Sequence, residues 1–309
     1  MPVSSILLNP YWEQSEWMEI LSRELPELSI QLWPKIEDPE SVEYAVFWIH
    51  DTDDLRTYPN LRAILAVTAG VEQFVEGDYP DVPIVRMADP TMAGEMASFV
   101  AHWVVHFHRG LDRYLDQQAQ KVWKTIRTPP PGDFPVGVLG FGAIGSRVGR
   151  TMAKMGYPVH AWTRTGGAEA EVTYHQGASG LQNLVSSCAA VVNVLPKTPD
   201  TTGLIDYRLF SRFRPDAVYI SIGRGATTVE ADLVAALDDG LLSAAVLDVT
   251  TQEPLPDHSA LWNHPRVRLT PHISGFTRAS TAAPLVAANI QRIRLGEKPF
   301  PIFNPRRNY

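Results

Sequence analysis

A glycine-rich segment in the middle of the chain most constrains the fold. Val136–Leu139 is an apolar run predicted as a strand, and residues 140–145 follow it with the spacing G-x-G-x-x-G. The first glycine allows a tight turn, the second lets the backbone approach a pyrophosphate, and the third lets the next helix pack closely on the strand. The segment therefore predicts a dinucleotide-binding strand–loop–helix unit of a parallel sheet. Its predicted cofactor-binding residues are Gly140, Gly142, Ala143, Ile144 and Gly145.

Short apolar runs alternate with stretches of helical period along most of the chain. This alternation predicts parallel strands joined by crossover helices, which is an α/β architecture. One long helix is predicted over about residues 92–118. The predicted strands are residues 5–9, 28–33, 44–49, 62–67, 83–86, 136–139, 159–163, 189–195, 217–222, 244–248 and 267–270.

The strand–helix alternation starts a second time near residue 135, which predicts two domains in this chain of 309 residues. A helical stretch near 281–295 follows the last strand of the second series, and we interpret it as the return of the chain into the first domain. The predicted division is residues 1–100 with 282–309, and residues 101–281. Active sites commonly lie between two such domains.

Composition and charge exclude several classes of protein. Apolar residues make up 45% and charged residues 20%, as in ordinary globular proteins, and the net charge of −7 argues against a nucleic-acid partner. No apolar run is long enough to span a membrane, and the first residues lack the regions of a signal peptide. The single cysteine, Cys188, excludes an internal disulfide and a cysteine-based metal site. We expect a cytoplasmic protein.

The end of the second strand in the dinucleotide unit indicates which cofactor binds. NAD-binding chains usually carry Asp or Glu there for the ribose 2′-hydroxyl, whereas this chain has Thr163, Arg164 and Thr165. The missing carboxylate removes repulsion of a 2′-phosphate, and Arg164 can pair with that phosphate. The alternative is a solvent-facing loop in which Arg164 has no such role. We favour NADPH, with NADH as a possible second cofactor.

Three charged or titratable residues each follow the end of a predicted strand. They are Arg224, Glu253 and His272. Ligands of an open parallel sheet bind at the carboxyl ends of its strands, so these side chains are candidates for one site. Taken singly, each has an ordinary alternative: a surface salt bridge, a solvated loop residue and a hydrogen-bonded structural histidine.

The order and spacing of these motifs resemble those of the D-isomer-specific 2-hydroxyacid dehydrogenases over nearly the whole chain. The segments that carry the resemblance are residues 140–145, 222–225, 248–256 and 270–272. Residues 44–48, 162–165, 261–265 and 307–309 are most similar to the bacterial glyoxylate/hydroxypyruvate reductase A type. The resemblance implies two Rossmann-like or flavodoxin-like parallel-sheet domains, an active site in the cleft between them, and a homodimer formed through the long helix.

The resemblance implies reduction of a small 2-oxo acid, and the residue types agree with it. Arg224 can hold the carboxylate and carbonyl oxygen, His272 can donate the proton, and Glu253 can orient and charge the imidazole, so that no metal is needed. The further cofactor contacts implied are Leu195, Pro196, Ile222 and Asp248. The implied substrate contacts are Trp48, Gly70, Val71, Arg224 and His272.

Two other functions stay open at this point. A reductase of bulkier 2-oxo acids would keep the same three catalytic residues, although the tryptophan at position 48 favours a small substrate. A dinucleotide-sensing binding protein without significant turnover would also keep them. Trp48, Leu195 and Ile222 have core packing as their alternative role.

Overall fold

The computed structural model describes residues 4–10, 12–48, 52–68, 70, 74 and 79–304. The chain divides into two units, Met1–Met92 with Phe276–Tyr309, and Ala93–Gly275. The assignment of substrate binding to one domain and dinucleotide binding to the other stays a prediction. In chain order the elements are β1 (Ser5–Asn9), α1 (Gln14–Glu24), β2 (Ser29–Leu32), β3 (Val42–Phe47), β4 (Ala63–Ala66), β5 (Ile84–Val85), α2 (Pro90–His108), α3 (Leu111–Ala119), β6 (Val136–Leu139), α4 (Ala143–Lys154), β7 (Val159–Trp162), β8 (Val172–His175), α5 (Gly177–Ser187), β9 (Ala190–Asn193), α6 (Tyr207–Phe210), β10 (Val218–Ser221), α7 (Glu230–Asp238), β11 (Ala244–Leu247), β12 (Val267–Leu269) and α8 (Ala279–Arg294).

The first unit is built on a parallel sheet with the strand order β2-β1-β3-β4-β5. This is the flavodoxin-like order. Side chains of β1 alternate between the two faces, so that Leu8 packs with Trp17 of α1 and Ile290 of α8 on one side. On the other side Leu7 packs with Phe303. Both faces of the strand are therefore buried.

The second unit is built on a parallel sheet with the strand order β12-β11-β10-β9-β6-β7-β8. Taken from β8, this is the dinucleotide-binding order, with β12 added at the far edge. Leu139 of β6 is paired in register with Trp162 of β7 and Asn193 of β9. The ends of these three strands therefore lie at one edge of the sheet. The two parallel sheets confirm the predicted fold class of two parallel-sheet α/β domains.

Burial in the second sheet explains why its strands are recognisable as short apolar runs. All four residues of β6, β9, β10 and β11 are buried, because helices cover both faces of a parallel sheet. Within the described part of the chain, no helix is long and apolar enough to cross a membrane.

The predicted long helix over residues 92–118 is wrong in one respect, because two helices occupy this stretch. α2 ends at His108, and α3 begins after Gly110, whose φ is +62°. A residue in the left-handed region cannot continue an α-helix, and glycine adopts that region without a steric penalty. The edge strand β8 was not predicted, since it is short and only partly buried.

Candidate active site

The three predicted catalytic residues follow three neighbouring strands of the second unit. β10, β11 and β12 are adjacent and parallel, and Ser221, Leu247 and Leu269 are paired in register at their ends. The segments with Arg224, Glu253 and His272 therefore all start from one edge of the sheet. The tertiary structure brings together residues that the sequence separates.

Glu253 and His272 form a hydrogen-bonded pair. The Nδ1 atom of His272 lies 2.7 Å from Oε2 of Glu253, and the side chains are 45% and 39% exposed. A carboxylate can only accept, so we assign the shared hydrogen to Nδ1 of His272. Nε2 is then the ring nitrogen left to meet a substrate, and the exposure of the pair permits that approach.

The surroundings of Glu253 favour its ionised form. Its Oε1 atom accepts a hydrogen bond of 3.0 Å from the Thr250 N–H. Burial by itself raises the pKa of the Glu253 carboxyl, but the hydrogen bonds from His272 and Thr250 and the charges of His272 and Arg224 outweigh burial. The pKa of Glu253 therefore lies below its usual value, and the three predicted catalytic residues are electrostatically linked.

Glu253→Gln is expected to remove a pH-dependent part of the stability. Because the pKa of Glu253 is lowered by folding, its contribution is complete above the ordinary glutamate pKa of about 4.3 and is lost as the pH falls through the lower folded value. The difference in unfolding free energy between wild type and variant should therefore shrink from about pH 6 to about pH 3. Urea unfolding measures it, with Glu16→Gln on α1 as the control. A pH-independent difference would contradict the lowered pKa of Glu253.

A buried carboxylate holds the turn that carries His272. Asp248 accepts hydrogen bonds from Thr270 Oγ1 at 2.6 Å, from the Ile273 N–H at 2.8 Å and from the Ser274 N–H at 2.9 Å. His272 itself has a φ of +54°, an uncommon conformation for a non-glycine residue that is often found at functional sites. Asp248 therefore positions the histidine, a role that the sequence reasoning missed. Its predicted contact with the cofactor stays a prediction.

The segment around Arg224 is packed tightly between its neighbours. One guanidinium nitrogen, Nη1, donates to the Gly223 carbonyl at 2.8 Å. At Gly225 a Cβ atom would lie 2.0 Å from the carbonyl carbon of Thr250, so only glycine fits beside the loop that carries Glu253. This close approach fixes the backbone of Arg224 relative to that loop.

A buried polar network supports the same segment from within the sheet. Asn193 Nδ2 donates to Thr227 Oγ1 at 2.8 Å, and Thr227 Oγ1 donates to the Arg224 carbonyl at 2.7 Å. Asn193 Oδ1 accepts from the Leu195 N–H at 3.1 Å. Sequence reasoning did not single out Asn193. A polar residue at the end of the apolar strand β9 was the available signal, because buried polar groups require partners.

The glycine-rich turn has the shape that a pyrophosphate needs. A Cβ atom at Gly145 would lie 1.9 Å from the Gly140 carbonyl oxygen, so α4 packs on the turn only with glycine there. A Cβ atom at Gly142 would meet no atom within 4 Å, and Ala143 is exposed. The first turn of a helix presents N–H groups that its own carbonyls leave unsatisfied. Gly142, Ala143 and Ile144 therefore fit the phosphates of a dinucleotide.

The turn after β7 lies at the same sheet edge as the glycine-rich turn. The Gly140 N–H donates to the Trp162 carbonyl at 3.1 Å, which places Thr163 next to the start of that turn. The Thr163 hydroxyl accepts from the Gly166 N–H at 2.7 Å, while Arg164 and Thr165 are exposed. These side chains fit a 2′-phosphate and offer no carboxylate to a 2′-hydroxyl.

The remaining predicted contacts differ in their surroundings. Leu195 and Ile222 are buried in the core, and Pro196 is half-buried. In the first unit Trp48 is half-buried against the core, Gly70 lies after β4, and Val71 and residues 307–309 are outside the described residues. Their contacts with cofactor or substrate stay predictions. The described residues contain no group of three or more His, Cys, Asp or Glu that could hold a metal ion.

Comparison with known proteins identifies the family. Residues 101–274 match the family model of the D-isomer specific 2-hydroxyacid dehydrogenase NAD binding domain. The chain is 34% identical to the glyoxylate/hydroxypyruvate reductase A of Photorhabdus laumondii, over 94% of this chain and 95% of that protein. It is also 34% identical to the protein of the same name from Yersinia enterocolitica, over 98% of this chain and 99% of that one.

Solved structures agree with the sequence comparison. A D-isomer specific 2-hydroxyacid dehydrogenase from Xanthobacter autotrophicus, in complex with NADPH and MES, superposes with a TM-score of 0.95 at 32% identity over 100% of both chains. The NADPH-dependent glyoxylate/hydroxypyruvate reductase from Sinorhizobium meliloti, in complex with NADP and sulfate, gives a TM-score of 0.92 at 28% identity over 99% of this chain and 100% of that one. The prediction from the sequence is confirmed, and the chain belongs to the D-isomer-specific 2-hydroxyacid dehydrogenase family.

Proposed function

We propose that the chain is an NADPH-preferring 2-oxo acid reductase that converts glyoxylate to glycolate and hydroxypyruvate to D-glycerate. The observation that carries this proposal is the hydrogen-bonded pair of Glu253 and His272, 2.7 Å apart, on the sheet edge that also presents Arg224. The reductases from Photorhabdus and Yersinia, similar over nearly their full lengths, support the choice of substrates.

The proposed mechanism uses the three side chains in distinct roles. Arg224 binds the substrate carboxylate and the carbonyl oxygen through its planar guanidinium. The hydride for the carbonyl carbon would come from the reduced nicotinamide of bound NADPH. His272 stabilises the negative charge that develops on the carbonyl oxygen and gives it the proton from Nε2. Glu253 stabilises the imidazolium before this transfer and keeps the ring oriented afterwards.

Steady-state rates with three 2-oxo acids test the substrate. We expect fast NADPH oxidation with glyoxylate and hydroxypyruvate, and slow oxidation with the bulkier phenylpyruvate, because Trp48 is proposed to narrow the pocket. Turnover of phenylpyruvate alone would agree with the proposed catalytic residues but would reject glyoxylate and hydroxypyruvate as substrates. Tight dinucleotide binding without turnover of any of the three would favour a sensor.

The preference for NADPH is proposed to come from the turn after β7. Thr163, Arg164 and Thr165 offer two hydroxyls and one guanidinium to a 2′-phosphate. None of these three positions carries an acidic side chain that would repel the phosphate. The relatives from Xanthobacter and Sinorhizobium, solved with NADPH and NADP, support this choice. NADH lacks the 2′-phosphate and should bind less tightly.

Replacing this turn should reverse the preference. The double variant Thr163→Asp, Arg164→Ala is expected to raise the KM for NADPH roughly ten- to a hundred-fold, since it loses charge-assisted hydrogen bonds and adds a repelling carboxylate. The KM for NADH should stay the same or fall, because Asp can accept from the 2′-hydroxyl. Initial rates with both cofactors measure this, with Arg208→Ala on α6 as control. Equal effects on both cofactors would reject the assignment.

We also propose a homodimer formed through the second unit. α3 contains no buried residue, and four large apolar side chains in and just after it are exposed: Leu111, Leu115, Val122 and Trp123. Exposed large apolar side chains close together in the sequence favour a protein–protein interface, and two-fold dimers are the commonest assemblies. A cytoplasmic location stays a prediction from the sequence.

Leu115→Glu is expected to dissociate this dimer. A charge buried in the middle of an apolar interface should weaken association by roughly thirty-fold or more. Light scattering coupled to size exclusion, at several protein concentrations, gives the mass. Leu295→Glu, at another exposed leucine after α8, is the control and should remain dimeric. A monomeric wild type, or a Leu115→Glu dimer of unchanged affinity, would reject this interface.

A further inference from the structure

Three hydrogen bonds hold the turn after β7 in one shape. The Thr163 N–H donates to the His175 carbonyl at 3.0 Å, and the Gly166 N–H donates to Thr163 Oγ1 at 2.7 Å. The third bond comes from a side chain, because Nε2 of Gln176 donates to the Arg164 carbonyl at 3.1 Å. Two of the three partners therefore lie at the junction of β8 and α5, outside the turn itself.

We propose that Gln176 is a positioning residue that determines cofactor specificity. It acts through the backbone of Arg164, holding the turn in the shape in which Thr163, Arg164 and Thr165 meet the 2′-phosphate of NADPH. This inference rests on the proposed role of these three residues in binding that phosphate. It adds a residue of the next strand–helix junction to the determinants of the preference for NADPH.

The orientation of the Thr163 hydroxyl supports this role. A hydroxyl has one hydrogen to donate and two lone pairs that accept. Because Thr163 Oγ1 accepts from Gly166, its own hydrogen can donate to a phosphate oxygen. That arrangement requires the backbone of residues 163–166 to keep its present turn.

The direction of the Arg164 carbonyl matters for phosphate binding, and a side-chain amide from outside the turn can fix that direction. A carbonyl oxygen that faced the phosphate would repel it and would weaken binding. Gln176 gives this oxygen a hydrogen-bond donor on the side of β8 and α5. The same amide nitrogen lies 3.4 Å from the place of a Cβ atom at Gly166, whose φ is +70°. The side chain of Gln176 therefore reaches both ends of the turn from Arg164 to Gly166.

Gln176 is well suited to a test by substitution. It is exposed and precedes the first residue of α5 in an extended conformation, so its replacement leaves the cores of the sheet untouched. Gln176→Ala removes the donor to Arg164. Gln176→Glu keeps the length of the side chain, but its carboxylate cannot donate to a carbonyl and places a negative charge beside the turn.

Calorimetric titration with two adenosine nucleotides separates a role in specificity from a general structural role. The probes are 2′,5′-adenosine bisphosphate, which carries the 2′-phosphate, and 5′-adenosine monophosphate, which does not. Gln176→Ala should raise the Kd of the bisphosphate about three- to ten-fold, the effect of one hydrogen bond, and leave the Kd of the monophosphate within about two-fold. Gln176→Glu should have the larger effect on the bisphosphate. Gln182→Ala, an exposed glutamine on α5, is the matched control and should bind both as wild type does.

The possible failures of this test are distinguishable. Unchanged bisphosphate binding in both Gln176 variants, or an equal loss for both nucleotides, would overturn the role of Gln176. Arg164→Ala, titrated in parallel, reports on the proposed phosphate site itself. If Arg164→Ala also binds the bisphosphate as wild type does, the site and the inference are both rejected. If only Arg164→Ala loses affinity, the site stands and Gln176 has no part in it.

Discussion

His272→Gln is expected to lower kcat with glyoxylate by about 10²–10⁴-fold, the usual contribution of a positioned proton donor. Glutamine keeps a polar side chain of similar reach, but its amide cannot act as a proton donor to the carbonyl oxygen as an imidazole can. The 2.7 Å contact between Nδ1 of His272 and Glu253 fixes which ring nitrogen faces the carboxylate. The variant therefore loses both the proton donor and the orientation that this contact gives it. NADPH binding should be unaffected, because His272 follows a different strand from the glycine-rich turn.

Steady-state rates with saturating NADPH measure kcat, and single-turnover measurements separate the chemical step from product release. The control is His258→Gln, an exposed histidine of the same unit, which should keep wild-type kcat. Near-normal turnover of His272→Gln would remove His272 from the role of proton donor. A large loss of NADPH affinity would instead indicate that the turn held by Asp248 had changed shape.

Arg224→Lys is expected to raise the KM for the 2-oxo acid about ten- to a hundred-fold and to lower kcat as well. Lysine keeps the positive charge but offers a point charge in place of a planar fork, so it cannot bind the carboxylate and the carbonyl oxygen together. Because the charge of Arg224 contributes to the lowered pKa of Glu253, its displacement would raise the pKa of Glu253 toward its usual value. Substrate binding is therefore expected to weaken, and proton transfer is expected to slow.

The separate effects of Arg224→Lys on KM and on kcat test the role of Arg224. Steady-state rates over a range of glyoxylate concentrations measure both, and the KM for NADPH should stay within about two-fold because the cofactor turn is untouched. Arg208→Lys, at an exposed arginine of α6, is the matched control. A fall in kcat with an unchanged KM would mean that Arg224 does not bind the substrate carboxylate in the ground state.

Strand positions were the most predictable part of the fold. β1 and β6 have the predicted bounds, and the other strands except β8 lie within or near their predicted ranges, because a buried parallel strand is a short apolar run. The break between α2 and α3 was not predicted, since one glycine in a helical pattern is often tolerated and only its φ of +62° shows that the helix stops. The edge strand β8 lacks the apolar run and was therefore missed.

The sequence by itself determined the α/β class, the dinucleotide turn and the candidates Arg224, Glu253 and His272, because each depends on residue type and on position after a strand. Only the tertiary structure decided that Asp248 holds the His272 turn, that Asn193 supports Arg224, and that Gln176 reaches the Arg164 carbonyl. Each of these contacts joins residues distant in sequence. A hydrogen bond forms only when donor and acceptor meet within a few tenths of an ångström and at a suitable angle. Strand register and turn conformation determine whether the donor and the acceptor reach this distance and angle, and local sequence patterns do not encode that geometry.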